Sequence, residues 1–180
     1  DLHNSEHSFP TRRSSDLSLE WLESRDRSKP FMLMVHHKAP HRNWTPPERY
    51  ARWLDDVSVP EPATLFDDYA NRASVHKTQK LMIDADMTLG SDLKVYPDKP
   101  LDKIPEMYRA RNEAFRAINP QGKALVRWKY QTYLKDYLRC VKSVDDGVGR
   151  LLDYLDKNGL AGNTVVIYAA DQGFFIGEHG

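Results

Sequence analysis

The hydrophobic positions of the chain form two short apolar runs and one long amphipathic pattern between them. Residues 31–35 and residues 164–170 are rich in apolar and β-branched side chains, which predicts two buried strands. Over residues 124–157 the apolar positions step by three and four, which predicts one long helix with a continuous apolar face. That face consists of Leu134, Tyr137, Val141, Val144, Val148, Leu151 and Leu155. A strand, a helical segment and a second strand predict an α/β fold with parallel strands in one sheet.

The predicted topology brings two polar segments to the same edge of the sheet. Residues 36–41 follow the first predicted strand, and Asp171 and Gln172 follow the second. Ligands bind at the carboxyl ends of the strands in open α/β sheets. The two segments are therefore expected to converge in one site, although about 130 residues separate them along the chain.

Asp171 and Gln172 offer a carboxylate oxygen and an amide oxygen directly after an apolar run. Hard cations such as calcium prefer these donors, and calcium takes roughly six to eight oxygen ligands. The pair therefore predicts part of a metal site whose other ligands come from elsewhere. An alternative is that Asp171 only accepts hydrogen bonds from backbone amides in a turn.

Lys38 and His41 lie three residues apart on a loop that contains three prolines, Pro40, Pro46 and Pro47. Each proline fixes its own φ and keeps the preceding residue extended, so the loop is expected to be stiff. An ammonium group and an imidazole held in this way can bind a tetrahedral oxyanion, and His41 can protonate a leaving alcohol near neutral pH. The alternative is an ordinary solvated surface loop.

Four further residues, three histidines and a tryptophan, are candidates for binding. His179 lies close in sequence to the second predicted strand and is a candidate for substrate contact. Neighbouring side chains of a strand point to opposite faces, so only one of His36 and His37 is expected to face the site. The sequence does not determine which one. Trp44 is the one aromatic residue on the predicted site loop, and it is a candidate for stacking on a sugar ring.

Composition excludes several classes of protein. The 180 residues are 40 % hydrophobic and 29 % charged, with a formal net charge of zero. This balance is typical of a soluble globular protein and gives no electrostatic reason to expect nucleic acid as a partner. No apolar run reaches the ~18 residues of a membrane span. The single cysteine, Cys140, excludes an internal disulfide and a cysteine-based zinc cluster, and it is expected to be a buried thiol.

The amino-terminal segment differs from the rest of the chain. The string from His7 to Leu17 matches one reading frame of a widely used short-read sequencing adaptor. We interpret residues 1–17 as a sequencing artefact, expect them to be disordered and set them aside, as one would a fusion scar. On this interpretation the protein begins near Ser18, inside a longer gene.

Four blocks of sequence, taken in order, resemble the type I sulfatases of the alkaline-phosphatase-like superfamily. The blocks are Lys29 to Trp44, Val59 to Tyr69, Ser143 to Leu155 and Asn163 to Gly180. The closest resemblance is to the bacterial mucin-desulfating, N-acetylglucosamine-6-sulfatase-like group. It implies an incomplete alkaline-phosphatase/sulfatase-like sandwich with a mostly parallel central sheet flanked by helices. Residues 18–180 would be part of the catalytic domain, without its amino-terminal nucleophile segment and its carboxyl-terminal part.

The resemblance also implies a function. Such enzymes are calcium-dependent sulfatases that hydrolyse sulfate esters of glycans, here N-acetylglucosamine-6-sulfate, in the periplasm or outside the cell. Asp171 and Gln172 would be calcium ligands, and His41 would contact the sulfate and the leaving oxygen as general acid. Lys38 would contact the substrate. The nucleophile would be a formylglycine made from the cysteine or serine of a Cys/Ser-x-Pro-x-Arg motif.

The chain departs from the family pattern at the nucleophile. Within residues 18–180 no Cys/Ser-x-Pro-x-Arg motif occurs, and Cys140 is followed by Val-Lys-Ser. We therefore expect the isolated chain to be inactive and to expose sheet edges. Two alternatives remain: a phosphodiesterase or phosphonate hydrolase of the same superfamily, and a catalytically dead glycan-binding homologue. Gln172 argues against a two-metal phosphoesterase, because an amide suits calcium better than zinc.

Overall fold

The computed structural model of the protein describes residues 10–180, with side chains from Ser14 onward. Three α-helices are present in this part: α1 (Pro10–Ser24), α2 (Glu106–Ile118) and α3 (Gly122–Lys157). Short 3₁₀ turns lie between or after them, at Glu48–Tyr50, Ser74–Thr78, Leu101–Lys103 and Ala161–Asn163. None of the helices in the described residues combines the length and the hydropathy needed to cross a bilayer.

Helix α3 confirms the long helix predicted from the apolar pattern. It begins two residues before the predicted start and ends at the predicted residue, Lys157. Gly159 adopts a φ of 67° just beyond the helix. Its amide donates to the carbonyl of Asp156 at 3.1 Å, and the amide of Leu160 donates to the carbonyl of Leu155 at 2.8 Å. This is the Schellman arrangement, in which glycine accepts the left-handed conformation without a steric penalty.

The segment interpreted as an artefact lies partly outside the described residues. Residues 1–9 are not described, whereas residues 10–17, where disorder was expected, belong to α1. Ser15 is fully buried, and Asp16 accepts a hydrogen bond from Arg150 at 2.6 Å. The adaptor origin of residues 1–17 stays a prediction.

The predicted sheet is not confirmed, because residues 10–180 contain no β-strand. Residues 31–38 nevertheless alternate between half-buried and exposed positions with a period of two, as in an extended chain. The second apolar run, residues 164–170, was predicted to be buried but is exposed. Val165 is 88 % exposed and Ile167 is 85 % exposed to solvent. An apolar β-branched run favours an extended backbone, but a strand also requires a neighbouring strand to complete the ladder of hydrogen bonds.

The described residues form two compact units. The first unit comprises residues 10–50 and 137–172. Its buried side chains include Leu22, Trp44, Cys140, Val144 and Leu155. The burial of Cys140, which is 4 % exposed, confirms the expected buried thiol. On α3, Asp146 accepts hydrogen bonds from the Tyr50 hydroxyl, from Arg49 at 3.3 Å and from Lys142 at 2.9 Å. These contacts hold the turn at residues 48–50 on the helix.

The second unit comprises residues 51–136 and 173–180. Its apolar core includes Leu65, Tyr69, Ile83, Leu93, Val95, Ile104, Tyr108, Phe115, Tyr130 and Tyr133. Asn112 of α2 is fully buried and ties a loop to the helix. Its Oδ1 accepts from the amide of Tyr96 at 2.7 Å, and its Nδ2 donates to the carbonyl of Lys94 at 2.9 Å. The core of this unit therefore depends on buried polar contacts as well as on apolar packing.

Two glycines of α3 provide a matched test of packing in the first unit. A Cβ added to Gly147 would lie 2.3 Å from Oγ and 3.3 Å from Cβ of Ser15, whereas a Cβ at Gly149 would meet nothing within 4 Å. We expect Gly149→Ala to raise the free energy of unfolding by up to about 1 kcal/mol through helix propensity. We expect Gly147→Ala to lower it by about 1 kcal/mol, because overpacking outweighs that gain. Urea denaturation checks both predictions. Equal effects of the two changes would contradict the expected clash between a Cβ at position 147 and Ser15.

Candidate functional site

The loop that carries Lys38 and His41 is a tight turn fastened to the first unit by a buried tryptophan. The amide of His41 donates to the carbonyl of Lys38 at 2.9 Å. Trp44 is 1 % exposed, and its indole N–H donates to the carbonyl of Pro40 at 2.8 Å. Its ring packs edge-on against Tyr137 of α3, with ring centroids 6.4 Å apart. The turn thus holds Lys38 and His41 together, with both side chains exposed.

The two ring nitrogens of His41 have different surroundings. Nδ1 is hydrogen-bonded to the carbonyl of Arg42. Because a carbonyl oxygen only accepts, Nδ1 carries the proton in this contact. Nε2 is therefore the nitrogen that can exchange a proton with a ligand.

The suggestion that Trp44 stacks on a sugar is wrong. A side chain that is 1 % exposed has no free ring face, and the indole N–H already has an acceptor in the same loop. Large aromatic residues fill cores more often than they bind ligands. Trp44 supports the loop instead of contacting a ligand.

The structure distinguishes the two adjacent histidines that follow the first apolar run. His37 turns inward, and its Nδ1 is buried without a hydrogen-bond partner in the described residues. Burial lowers the pKa of His37, because it disfavours the charged imidazolium. His36 is exposed and falls on the same side of the extended segment as Lys38, by the alternation of residues 31–38. His36 is thus the histidine on the open side with Lys38.

Asp171 and Gln172 are both exposed at the end of the second apolar run. Within the described residues, neither side chain makes a hydrogen bond or an ion pair, and none links them to Lys38 or His41. The alternative that Asp171 accepts from turn amides therefore finds no support there. The structure also brings together no group of three His, Cys, Asp or Glu residues that could hold a metal ion in the described part. The pair offers two oxygen donors, and the predicted convergence is not seen as a contact.

His179 belongs to a polar cluster in the second unit. Its Nδ1 lies 2.7 Å from Oδ2 of Asp67, and Arg72 Nη2 lies 3.1 Å from the same oxygen. Its amide donates to the carbonyl of Thr64 at 3.1 Å, and the Tyr69 hydroxyl donates to its carbonyl. The Tyr69 amide, His179 and Arg72 lower the pKa of Asp67, since each stabilises the carboxylate.

Sequence reasoning missed the part played by Asp67. The pair Asp67–Asp68 does not follow a predicted strand, and 112 positions separate Asp67 from His179. No local pattern connects two residues so far apart, so only the fold could show this contact.

A match to the nucleophile motif lies in the segment that was set aside. Residues 8–12 read Ser-Phe-Pro-Thr-Arg and satisfy Ser-x-Pro-x-Arg, within the segment set aside as an artefact. Ser8 and Phe9 lie outside the described residues, and the side chains of residues 10–12 are not described. No role is assigned to this match.

Comparison with known proteins gives one consistent result. A family model described as Sulfatase matches residues 4–180. The chain is 41 % identical to the N-acetylglucosamine-6-O-sulfatase of Bacteroides thetaiotaomicron, over 99 % of this chain and 36 % of that protein. It is 28 % identical to an arylsulfatase of Clostridium perfringens, and 28 % identical to human iduronate 2-sulfatase, in each case over 97 % of this chain and 28 % of the relative.

A solved structure agrees with these relatives. It is described as BT4656 in complex with its substrate D-glucosamine-2-N,6-O-disulfate, and it superposes with a TM-score of 0.87 at 39 % identity. The match covers 96 % of this chain and 39 % of that chain. The chain thus spans between 28 % and 39 % of the length of these proteins. On the family match and the 41 % identity together, the chain belongs to the sulfatase family.

Proposed function

We propose that this chain is part of a calcium-dependent sulfatase that hydrolyses 6-O-sulfate esters of glucosamine-type sugars in glycans. The observation that carries the proposal is the 41 % identity, over 99 % of the chain, to a protein named N-acetylglucosamine-6-O-sulfatase. The exposed Lys38–His41 turn supports it, because it presents cationic and proton-transferring groups to solvent. A periplasmic or secreted location would suit a glycan substrate.

Lys38 and His41 would act on the sulfate group. The Lys38 ammonium would stabilise negative charge on the sulfate oxygens, as preorganised donors do when charge develops. The imidazole Nδ1–H of His41 is committed to the carbonyl of Arg42, so Nε2 is the atom that would give a proton to the leaving alcohol. Trp44 would keep this turn in place through its contact with Pro40.

Asp171 and Gln172 would hold the calcium ion. A carboxylate and an amide oxygen match the donors that calcium prefers, and neither is used by another described residue. They supply two of roughly six to eight oxygens, so the remaining ligands would come from outside the described residues. When bound, calcium neutralises the charge on the sulfate oxygens.

The two apolar runs would be strands of a sheet in the parent enzyme. Residues 31–35 and 164–170 are exposed or half-buried here, and a neighbouring strand would cover them and complete their hydrogen bonds. A formylglycine nucleophile would lie outside residues 18–180. We therefore propose that the isolated chain releases no sulfate, whether or not residues 1–17 are present.

A chimera tests the proposed function. Residues 18–180 replace the matching segment of the N-acetylglucosamine-6-O-sulfatase of Bacteroides thetaiotaomicron, and sulfate release from glucosamine-6-sulfate is measured. We expect an active enzyme in which Asp171→Asn lowers kcat/KM by about 10²-fold or more, because the charge-stabilising ion loses the negative charge of one of its ligands. The matched control is Asp153→Asn, which changes an exposed carboxylate whose one ion pair within the described residues is with Lys157 at 3.7 Å. Full activity of Asp171→Asn would contradict the proposed metal site.

The same assay separates the alternatives. Cleavage of a phosphate diester in preference to the sulfate ester would favour the phosphodiesterase or phosphonate hydrolase. Binding of the sulfated sugar by a folded chimera that cleaves neither ester would favour the glycan-binding homologue.

A further inference from the structure

The two ring nitrogens of His179 have different surroundings. Nδ1 lies 2.7 Å from Oδ2 of Asp67. Nε2 makes no hydrogen bond within the part of the chain that the structure describes, and the side chain keeps 26 % of its surface exposed. One nitrogen is therefore engaged inside the unit, and the other is available to a ligand.

The proton on Nδ1 follows from its neighbours. Asp67 accepts hydrogen bonds through both carboxylate oxygens, from the Tyr69 amide at Oδ1 and from Arg72 at Oδ2. An ionised carboxylate only accepts, so the contact at 2.7 Å requires a hydrogen on Nδ1 of His179. Arg72 Nη2 lies 3.3 Å from that nitrogen and is also a donor, so its hydrogen bond goes to Asp67. In the neutral ring, Nε2 then carries the lone pair.

The backbone of His179 is held as firmly as its ring. Its amide donates to Thr64, and its carbonyl accepts from the Tyr69 hydroxyl, which in turn accepts from Gln79 at 2.7 Å. The ring of Phe175 meets the imidazole edge-on, with centroids 5.4 Å apart. Contacts to the backbone and contacts to the ring of His179 together fix the position of Nε2.

We propose that Asp67 is a positioning residue whose carboxylate holds His179 in the Nδ1–H tautomer and so presents Nε2 as an acceptor for a sugar hydroxyl. The hydroxyl part of this inference rests on the proposed function, whereas the tautomer does not. A neutral imidazole in this state accepts a hydrogen bond and so selects a hydrogen-bond donor. His179 would therefore select a sugar hydroxyl and not a sulfate oxygen, which has no hydrogen to donate.

The tautomer is measured on the 180-residue chain without substrate or metal. Long-range proton–nitrogen correlation spectra of histidine-labelled protein, at about pH 8.5 where an ordinary histidine is neutral, distinguish the two tautomers. His179→Gln assigns the resonances. We expect the Nδ1–H form to exceed the other by about tenfold or more, as a charge-assisted hydrogen bond would produce.

Asp67→Ala gives the sharpest contrast. It removes the acceptor of Nδ1 and leaves Arg72 Nη2, which only donates, 3.3 Å from that nitrogen. Nδ1 should then carry the lone pair, and the tautomer should reverse to Nε2–H. Asp68→Ala is the matched control, since Oδ1 of Asp68 accepts from the amide of Ala70 at 2.8 Å and has no contact with His179. Arg72→Gln should leave the Nδ1–H form dominant.

Two results would overturn the inference. An Nε2–H tautomer in the unchanged chain, or the same tautomer in Asp67→Ala and the unchanged chain, would remove the positioning role. In the chimera, we expect Asp67→Ala to raise KM for glucosamine-6-sulfate about tenfold with little change in kcat, because the lost contact is made equally in the ground and transition states. An unchanged KM despite a reversed tautomer would exclude the acceptor role. An inactive chimera would reject the proposed function, and the tautomer measurement would still decide the role of Asp67.

Discussion

Replacing Asp136 by asparagine should lower the free energy of unfolding of the second unit by about 3–5 kcal/mol, the loss typical of a broken buried ion pair. Asp136 has no exposed side-chain surface, and its two oxygens accept from Arg111 at 2.7 and 2.8 Å. Burial opposes the charge of Arg111, but the nearby carboxylate outweighs this and raises the pKa of Arg111. The substitution would remove the counter-charge of a buried guanidinium and turn one of its two side-chain acceptors into an NH₂ donor, which leaves the amide oxygen and, at 2.8 Å, the carbonyl of Leu93 as its acceptors among the described contacts. Urea denaturation followed by far-ultraviolet circular dichroism measures the loss.

The matched control for this experiment lies on the same helix. Arg127 of α3 also makes two hydrogen bonds to one carboxylate, that of Glu61, at 2.6 and 3.0 Å. Both side chains are solvent-exposed, so water compensates for the loss of either partner. Glu61→Gln should therefore change the stability far less than Asp136→Asn. Equal losses would show that geometry, and not burial, determines the strength of these pairs.

The helices of this chain follow from local sequence, and the predicted sheet does not. Helix α3 is specified by a repeated apolar face and by a glycine just beyond its end, all within the segment itself. The run at 164–170 has the composition of a strand, but its hydrogen-bond partners must come from another segment. Sequence can therefore indicate an extended conformation at 31–35 and 164–170 without supplying the neighbouring strand that would complete it.

Within the candidate site, too, some features follow from local sequence and others depend on the fold. Lys38 and His41 are close because they lie three positions apart in a proline-containing turn, so their proximity could be predicted. Trp44 was misjudged because sequence shows its place on the loop and not its burial against Tyr137. The pairing of Asp67 with His179 depends on the fold over 112 positions, and no spacing rule reaches that far.

Replacing Gly177 by alanine should detach the carboxyl-terminal turn of the second unit and with it the hydrogen bond between His179 and Asp67. Gly177 has a φ of 108°, and a Cβ there would lie 2.3 Å from Cε2 of the Tyr130 ring and 3.2 Å from Pro62. A change of the Tyr130 χ1 angle that moved the ring away would break the 2.6 Å hydrogen bond from its hydroxyl to the carbonyl of Pro60. The left-handed φ and the overpacking together should cost at least about 2 kcal/mol. Because this cost falls on one short turn, local undocking should precede unfolding of the unit.

The nitrogen spectra of His179 measure this undocking directly. In Gly177→Ala we expect the Nδ1–H tautomer to lose its excess, because a solvated imidazole has no fixed partner. Gly173→Ala is the matched control: it lies in the same segment, its φ is not left-handed, and a Cβ there would meet nothing within 4 Å. It should leave the tautomer unchanged. If Gly177→Ala also kept the Nδ1–H form, the turn would tolerate a side chain against Tyr130, and the position of His179 would not depend on this close approach.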